Sequence, residues 1–250
     1  MNFDTLVLAG GGAFGLAGVG FLYELFKYNP EIYKNINVMS GCSIGSAIVC
    51  MLAMGYTPLE LLTFVSTEIK IPSLGEISID RLQKKHGFFN IEDFMDGFYR
   101  SMDNKQIDRD ITFSEFYKIC GKEIVINCFN LTDLQDVVFS TRKTPKDKIV
   151  DAIRYSICIP IAFEKQLCNG KIYVDGGLHN NIPVEYIYEP YTYKKRPNNV
   201  PDGYKHCLSI DYLQKGQLHD ESASDSIIKY ALYVCSRIYD MSKLKKDNYF

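Results

Sequence analysis

The apolar positions of this chain fall into two repeating patterns. Leu6-Val7-Leu8-Ala9 is an unbroken apolar run that stops at Gly10-Gly11-Gly12, and from Leu16 to Tyr28 apolar residues return at helical spacing. Together these predict a buried strand, a glycine turn and a helix. A second unit of the same form follows, with Ile36 to Met39 as strand, Ser40 to Gly45 as turn and Ile44 to Met54 as helix. Successive strand-turn-helix units require a parallel sheet covered on both faces. Thr57-Pro58 offers an N-cap and a proline at N1 for an amphipathic helix running to Ile69. Residues 71–110 mix short apolar patches (Phe88, Phe89, Phe94, Phe98) with many charges. They read as helices and loops lying over the sheet, a candidate lid or substrate-access region.

Beyond that stretch, Thr112 and Glu115 have the spacing of a capping box, which predicts a short helix. Strands are expected at Ile124 to Phe129, Val137 to Ser140, Lys171 to Val174 and Cys207 to Tyr212, a helix from Lys146, and a closing helix from Ser222 to about Met241. The Pro-, Asn- and Lys-rich stretch 190–204 reads as an exposed loop. All 250 residues are expected to form one α/β domain, long enough to bury a core without metal or disulfide staples.

Charge narrows the partners. With 28 Lys+Arg against 30 Asp+Glu, no global field recruits nucleic acid, and a neutral or apolar ligand is the better expectation. The eight cysteines are scattered, without a Cys-x-x-Cys pair, and are expected as reduced, mostly buried thiols. The start Met1-Asn2-Phe3-Asp4 lacks the basic region of a signal peptide, and Ile44 to Met54 is too short to span a bilayer at 1.5 Å per residue. An intracellular protein with at most peripheral membrane contact is the expectation.

Three motifs carry the chemistry. Gly10, Gly12 and Gly15 satisfy G-x-G-x-x-G, a loop whose backbone N–H groups can cradle either a pyrophosphate or the oxyanion of an acyl-transfer intermediate. A dinucleotide site also wants an acid at the end of the second strand, where this chain has Met39-Ser40-Gly41. Gly41-Cys42-Ser43-Ile44-Gly45 is G-x-S-x-G between a predicted strand and a predicted helix, the setting of a nucleophile elbow. Asp175-Gly176-Gly177 follows a short predicted strand and reads as an aspartate exposed on a loop; alone it would be an ordinary turn former. A Ser-Asp-His triad of the α/β-hydrolase type is the main competitor among hydrolases, but its elbow normally comes after more strands, and only His179 lies near a motif.

In this order along the chain, the three motifs resemble the patatin-like phospholipase family. The resemblance covers about Leu6 to Pro183 and includes Thr112 to Phe116 with Gly121-Lys122, and Ser156 to Phe163 with Pro160. It implies a three-layer α/β/α fold with a mainly parallel central sheet, and a Ser-Asp dyad with Ser43 as nucleophile and Asp175 as proton acceptor. Gly10, Gly11, Gly12 and Ala13 would supply the oxyanion hole, while Gly15, Gly41, Gly45, Gly176 and Gly177 complete the motifs. The implied activity is a lipid acyl hydrolase of the phospholipase A or lysophospholipase type. It would act on phospholipid or another acyl ester without metal or organic cofactor. Triacylglycerol lipase or acyltransferase activity of the same family is the alternative, with a silent lipid-binding or nucleotide-binding module further off. One departure stands out: Phe14 occupies the loop position where the family usually carries Arg or Lys.

Overall fold

Residues 3–69, 78–187 and 206–212 are described by the computed structural model. The unbroken apolar runs become its central strands. In chain order the elements are β1 (Thr5–Leu8), α1 (Gly15–Tyr28), α2 (Pro30–Asn35), β2 (Val38–Cys42), α3 (Ile44–Ala53), α4 (Pro58–Glu68), α5 (Ile79–Lys85), β3 (Gly87–Phe89) and α6 (Ile91–Asn104). There follow α7 (Phe113–Cys120), β4 (Glu123–Asn130), β5 (Gln135–Ser140), α8 (Ile149–Ser156), β6 (Ile161–Phe163), β7 (Gln166–Cys168), β8 (Lys171–Asp175) and β9 (Cys207–Ile210). The exposed-loop stretch 190–204 and the closing helix expected from Ser222 lie outside the described residues.

The main sheet runs β7-β8-β4-β2-β1-β9, with β5 also on β4. Its centre, β4-β2-β1-β9, is parallel throughout, while β5, β7 and β8 join antiparallel. The register on β4 positions the site. β2 pairs with Glu123 to Asn127 and β5 with Val125 to Asn130, so these two occupy opposite edges. β8 pairs with Cys128 to Asn130, which β5 already covers on its own side, and therefore takes over the edge where β2 stops. Cys42, the last residue of β2, lies opposite Asn127, and Asp175, the last residue of β8, lies opposite the adjacent Cys128. Two strands thus arrive end to end on one edge, and their terminal residues meet.

Helix starts follow the sequence closely. Thr57 and Glu60 close a capping box ahead of α4, with Pro58 at N1, and Thr112 and Glu115 close another ahead of α7. The helix expected from Lys146 begins at Ile149, with Lys148 as N-cap. Of the stretch read as a lid, residues 78–110 are described. Phe94, Met95, Phe98 and Met102 of α6 are buried in the main core with Leu52, Phe113 and Phe116, so α6 is a structural layer. Burying each such side chain contributes about 1.5–3 kcal/mol. Phe89 and Phe163 sit in a separate two-stranded pairing, β3 with β6, for which the sequence pattern had no strand.

Candidate active site

Ser43 stands between β2 and α3 with φ 52 and ψ −130, a conformation that costs a non-glycine residue on the order of 1–3 kcal/mol. The two flanking glycines make that turn sterically feasible. A Cβ on Gly41 would lie 2.4 Å from the Gly45 carbonyl oxygen, and one on Gly45 would lie 2.5 Å from the Leu8 carbonyl oxygen of β1. The start of α3 can press against the sheet only because both positions lack a side chain. Polar ties then hold the elbow. The Ser43 N–H donates to Ser156 Oγ at 2.8 Å, Ser156 Oγ donates to the Asn127 carbonyl at 2.7 Å, and Ser46 Oγ donates to the Ser43 carbonyl at 2.6 Å.

From this turn the Ser43 hydroxyl donates to Asp175 Oδ2 at 2.5 Å. The other carboxylate oxygen, Oδ1, accepts the Gly177 N–H at 2.7 Å and lies 3.9 Å from the Cys42 sulfur. Asp175 is buried, at 5% exposure, which corrects the expectation of an exposed loop aspartate. It closes β8 instead of sitting in the loop beyond it. Burial raises its pKa from the ordinary 3.8 to about 6, against the lowering effect of the hydrogen bonds from Ser43, Gly177 and Cys42. The neighbouring thiols remain protonated, because burial pushes Cys42 well above its ordinary value and Cys158 up to about 12. The carboxyl therefore meets no second negative charge among these thiols.

The glycine loop lies against the same point, since a Cβ on Gly10 would fall 2.8 Å from Ser43 Cβ. Its amides differ in what they do. Gly10 N–H is taken by the Asn181 side chain and Phe14 N–H by the Gly11 carbonyl. Those of Gly11, Gly12 and Ala13 meet no hydrogen-bond acceptor among the described residues. Of the four donors expected from the sequence, Gly10 is thus already engaged. The positive φ falls on Gly12 (φ 54), whereas Gly11 is extended and lies under the Tyr212 ring, 2.6 Å from where its Cβ would be. Gly15 packs on Ile44, and Gly176 on the Asn127 side chain.

His179 faces elsewhere. Its Nδ1 lies 2.7 Å from Asp136 Oδ2 and its ring packs on Phe129, so it contacts neither Ser43 nor Asp175. Of the apolar segments that flank the site, α3 is buried core beyond Ile44, while Ile159, Pro160 and Ile161 are half-buried. Ser156, Asn127 and Asn181 went unremarked as site residues. The one signal for Asn127 was a polar residue inside the apolar run Ile124 to Phe129. No group of His, Cys, Asp and Glu among the described residues could hold a metal ion, and no described helix is long and apolar enough to cross a membrane.

Known proteins resemble this chain in sequence and in fold. The chain is 33% identical over 199 residues to the probable lipid hydrolase 463L of Invertebrate iridescent virus 6, a match taking in 78% of this chain and 66% of that protein. It is 34% identical over 183 residues to the uncharacterized protein R571 of Acanthamoeba polyphaga mimivirus, covering 72% and 60% respectively. The chain therefore spans about two thirds or less of these relatives. Among solved structures, VipD from Legionella pneumophila shares the fold at a TM-score of 0.53 with 15% identity, over 84% of this chain and 49% of that one. The family model for patatin-like phospholipase matches residues 6–188, a span that holds the glycine loop, Ser43 and Asp175, and the chain belongs to that family.

Proposed function

We propose that this chain hydrolyses fatty acyl esters of lipids, with Ser43 as nucleophile and Asp175 as its base. The observation that carries the reading is the 2.5 Å hydrogen bond from the Ser43 hydroxyl to a buried carboxylate, next to a loop whose Gly11, Gly12 and Ala13 amides meet no acceptor among the described residues. Asp175 accepts the hydroxyl proton as Oγ attacks the ester carbonyl, and the amides of Gly11, Gly12 and Ala13 receive the oxyanion. Collapse of the tetrahedral intermediate breaks the ester C–O bond, and the proton held by Asp175 passes to the leaving alcohol. Water, deprotonated by the same carboxylate, then attacks the acyl-serine; the acyl–Oγ bond breaks, the proton on Asp175 returns to Ser43 Oγ, and the fatty acid leaves.

Energetics favour this division of labour. A carboxylate raised to about 6 is a better base than one at 3.8, yet it remains far below an alcohol. Much of the barrier reduction must therefore come from the oxyanion donors, at roughly 3–4 kcal/mol for each. The positive end of α3, which begins immediately after Ser43, favours the same negative charge. Lipid as the substrate class is supported by the family's phospholipase description and by the iridescent virus relative's name. Exposed Phe14 and half-buried Ile44 beside the site would meet an acyl chain, and contact with a membrane surface would be peripheral.

Ser43→Ala and Asp175→Asn are each expected to abolish fatty acid release from a fluorogenic acyl ester and from phosphatidylcholine vesicles, with circular dichroism unchanged. Retention of more than about 5% of activity by Ser43→Ala would remove Ser43 from its role. His179→Ala is expected to stay within about threefold of the parent, since the Ser43 hydroxyl donates to Asp175 and makes no hydrogen bond to His179.

A further inference from the structure

The edge of the sheet runs out just where the glycine loop begins. Ala9 N–H still donates to the Ile210 carbonyl of β9 at 3.0 Å, whereas Gly10, one residue on, faces the β2 edge, and β2 has ended at Cys42. The Asn181 side chain takes over. Gly10 N–H donates to Asn181 Oδ1 at 3.0 Å, and Asn181 Nδ2 donates to the Gly10 carbonyl at 3.0 Å. One carboxamide thus satisfies both backbone groups of one residue, as a neighbouring strand would. The pattern also fixes its orientation, because a flipped amide would set N–H against N–H and oxygen against oxygen. Asn181 is 8% exposed, so an apolar residue in its place would strand two buried backbone groups.

The motif glycines make room for this clamp. A Cβ on Gly10 would lie 2.6 Å from Asn181 Oδ1, and one on Gly177 would lie 2.9 Å from the same atom. Gly177 N–H meanwhile holds Asp175 Oδ1. The short segment from Asp175 to Asn181 therefore holds the carboxylate at one end and grips the glycine loop at the other.

We propose that Asn181 is a positioning residue that sets the amides of Gly11, Gly12 and Ala13 relative to the Ser43–Asp175 pair. The proposal rests on those amides being the oxyanion donors. Asn181 acts through Gly10 and makes no hydrogen bond to Ser43. Its loss raises the barrier to forming the tetrahedral intermediate and leaves ground-state binding of the ester largely intact.

The test uses Asn181→Asp, which keeps the shape and an acceptor for Gly10 N–H but cannot, when ionised, donate to the Gly10 carbonyl, and Asn181→Leu, which offers neither bond. With a soluble acyl ester, kcat is expected to fall about tenfold and about a hundredfold respectively, with KM within about threefold of the parent. Phosphonylation of Ser43 by a fluorophosphonate, whose P=O needs the same donors, should slow in parallel, and amide hydrogen exchange at Gly10 should accelerate. Unchanged kcat in both folded variants, or a loss confined to KM, overturns the proposal. If Asn181→Leu does not fold, Asn181→Asp decides alone. If the parent enzyme is not phosphonylated at Ser43, the dyad reading itself fails and the catalytic role of the clamp falls with it. Labelling of the parent together with unaltered exchange at Gly10 in the variants overturns the clamp alone.

Discussion

Burial of the Asp175 carboxyl raises its pKa and carries a cost in stability. The folded state holds the Asp175 proton up to about pH 6, whereas the unfolded chain releases it near 3.8. The stability this contributes is complete below about pH 4 and is lost as pH rises through 6, amounting to roughly 3 kcal/mol at neutral pH. On the proposed mechanism activity runs the other way, because Asp175 would serve as base only when ionised. kcat/KM is accordingly expected to fall about tenfold per pH unit below pH 6, and a pH–rate profile with no acidic limb between 5 and 7 would contradict the assignment. Asp175→Asn, inactive but free of the charge, is expected to unfold later in urea than the parent at pH 7.5, by up to about 3 kcal/mol, and to lose that advantage at pH 4. A variant no more stable than the parent at pH 7.5 would show that the carboxylate carries no such burden.

At the level of elements, the tight contacts lie where α3 leaves the sheet. Replacing glycine by alanine inside a helix ordinarily stabilises by about 1 kcal/mol. Gly45→Ala is expected to do the reverse, because the new methyl meets the backbone of β1 at 2.5 Å and 2.8 Å, at the Leu8 and Ala9 carbonyl oxygens. Strain of about 1–3 kcal/mol should appear as a lower thermal midpoint, with activity falling as Ser43 shifts; an unchanged midpoint would mean that α3 yields freely. Gly41 was legible in the sequence because it answers to a contact within one strand-turn-helix unit, with the Gly45 carbonyl, whereas Gly45 itself meets the strand of the unit before. The capping boxes at Thr57 and Thr112 were readable on the same local terms. What the sequence hid was pairing at a distance. Nothing in Asp175-Gly176-Gly177 announces that β8 runs antiparallel on β4, so the aspartate looked like a loop residue. Asn181, 171 positions from Gly10, carried no local signal at all. The helix α6 carries Ile91, Phe94, Met95, Phe98 and Met102 at helical spacing, so its buried face was written in the sequence and only the many charges between them made the stretch read as irregular.

Across the whole molecule, cohesion comes from the apolar core and from sheet pairing. Seven cysteines are described, and all are free thiols. Thermal midpoints with and without dithiothreitol are therefore expected to agree within about 1 °C; a larger drop under reduction would reveal a covalent brace. The near-balance of 28 basic and 30 acidic residues carries the same message, since the molecule has little net field to guide a charged ligand from afar. The parallel centre of the sheet gathers the ends of β1, β2 and β9 on one side, and the glycine loop, Ser43 and Tyr212 all follow directly from those ends.

The end-to-end meeting of β2 and β8 on β4 also has a bearing on time. Ser43 and Asp175 are 132 positions apart, and each strand residue advances about 3.3 Å. A slip of a single residue of β8 on β4 would carry the carboxyl out of reach and turn it to the opposite face. A nascent or refolding chain can complete β1, β2 and α3 before Asp175 reaches Ser43. If that pair is the proposed dyad, such a chain stays inactive until β8 locks, so returning activity would mark the closing of that strand and not the collapse of the core.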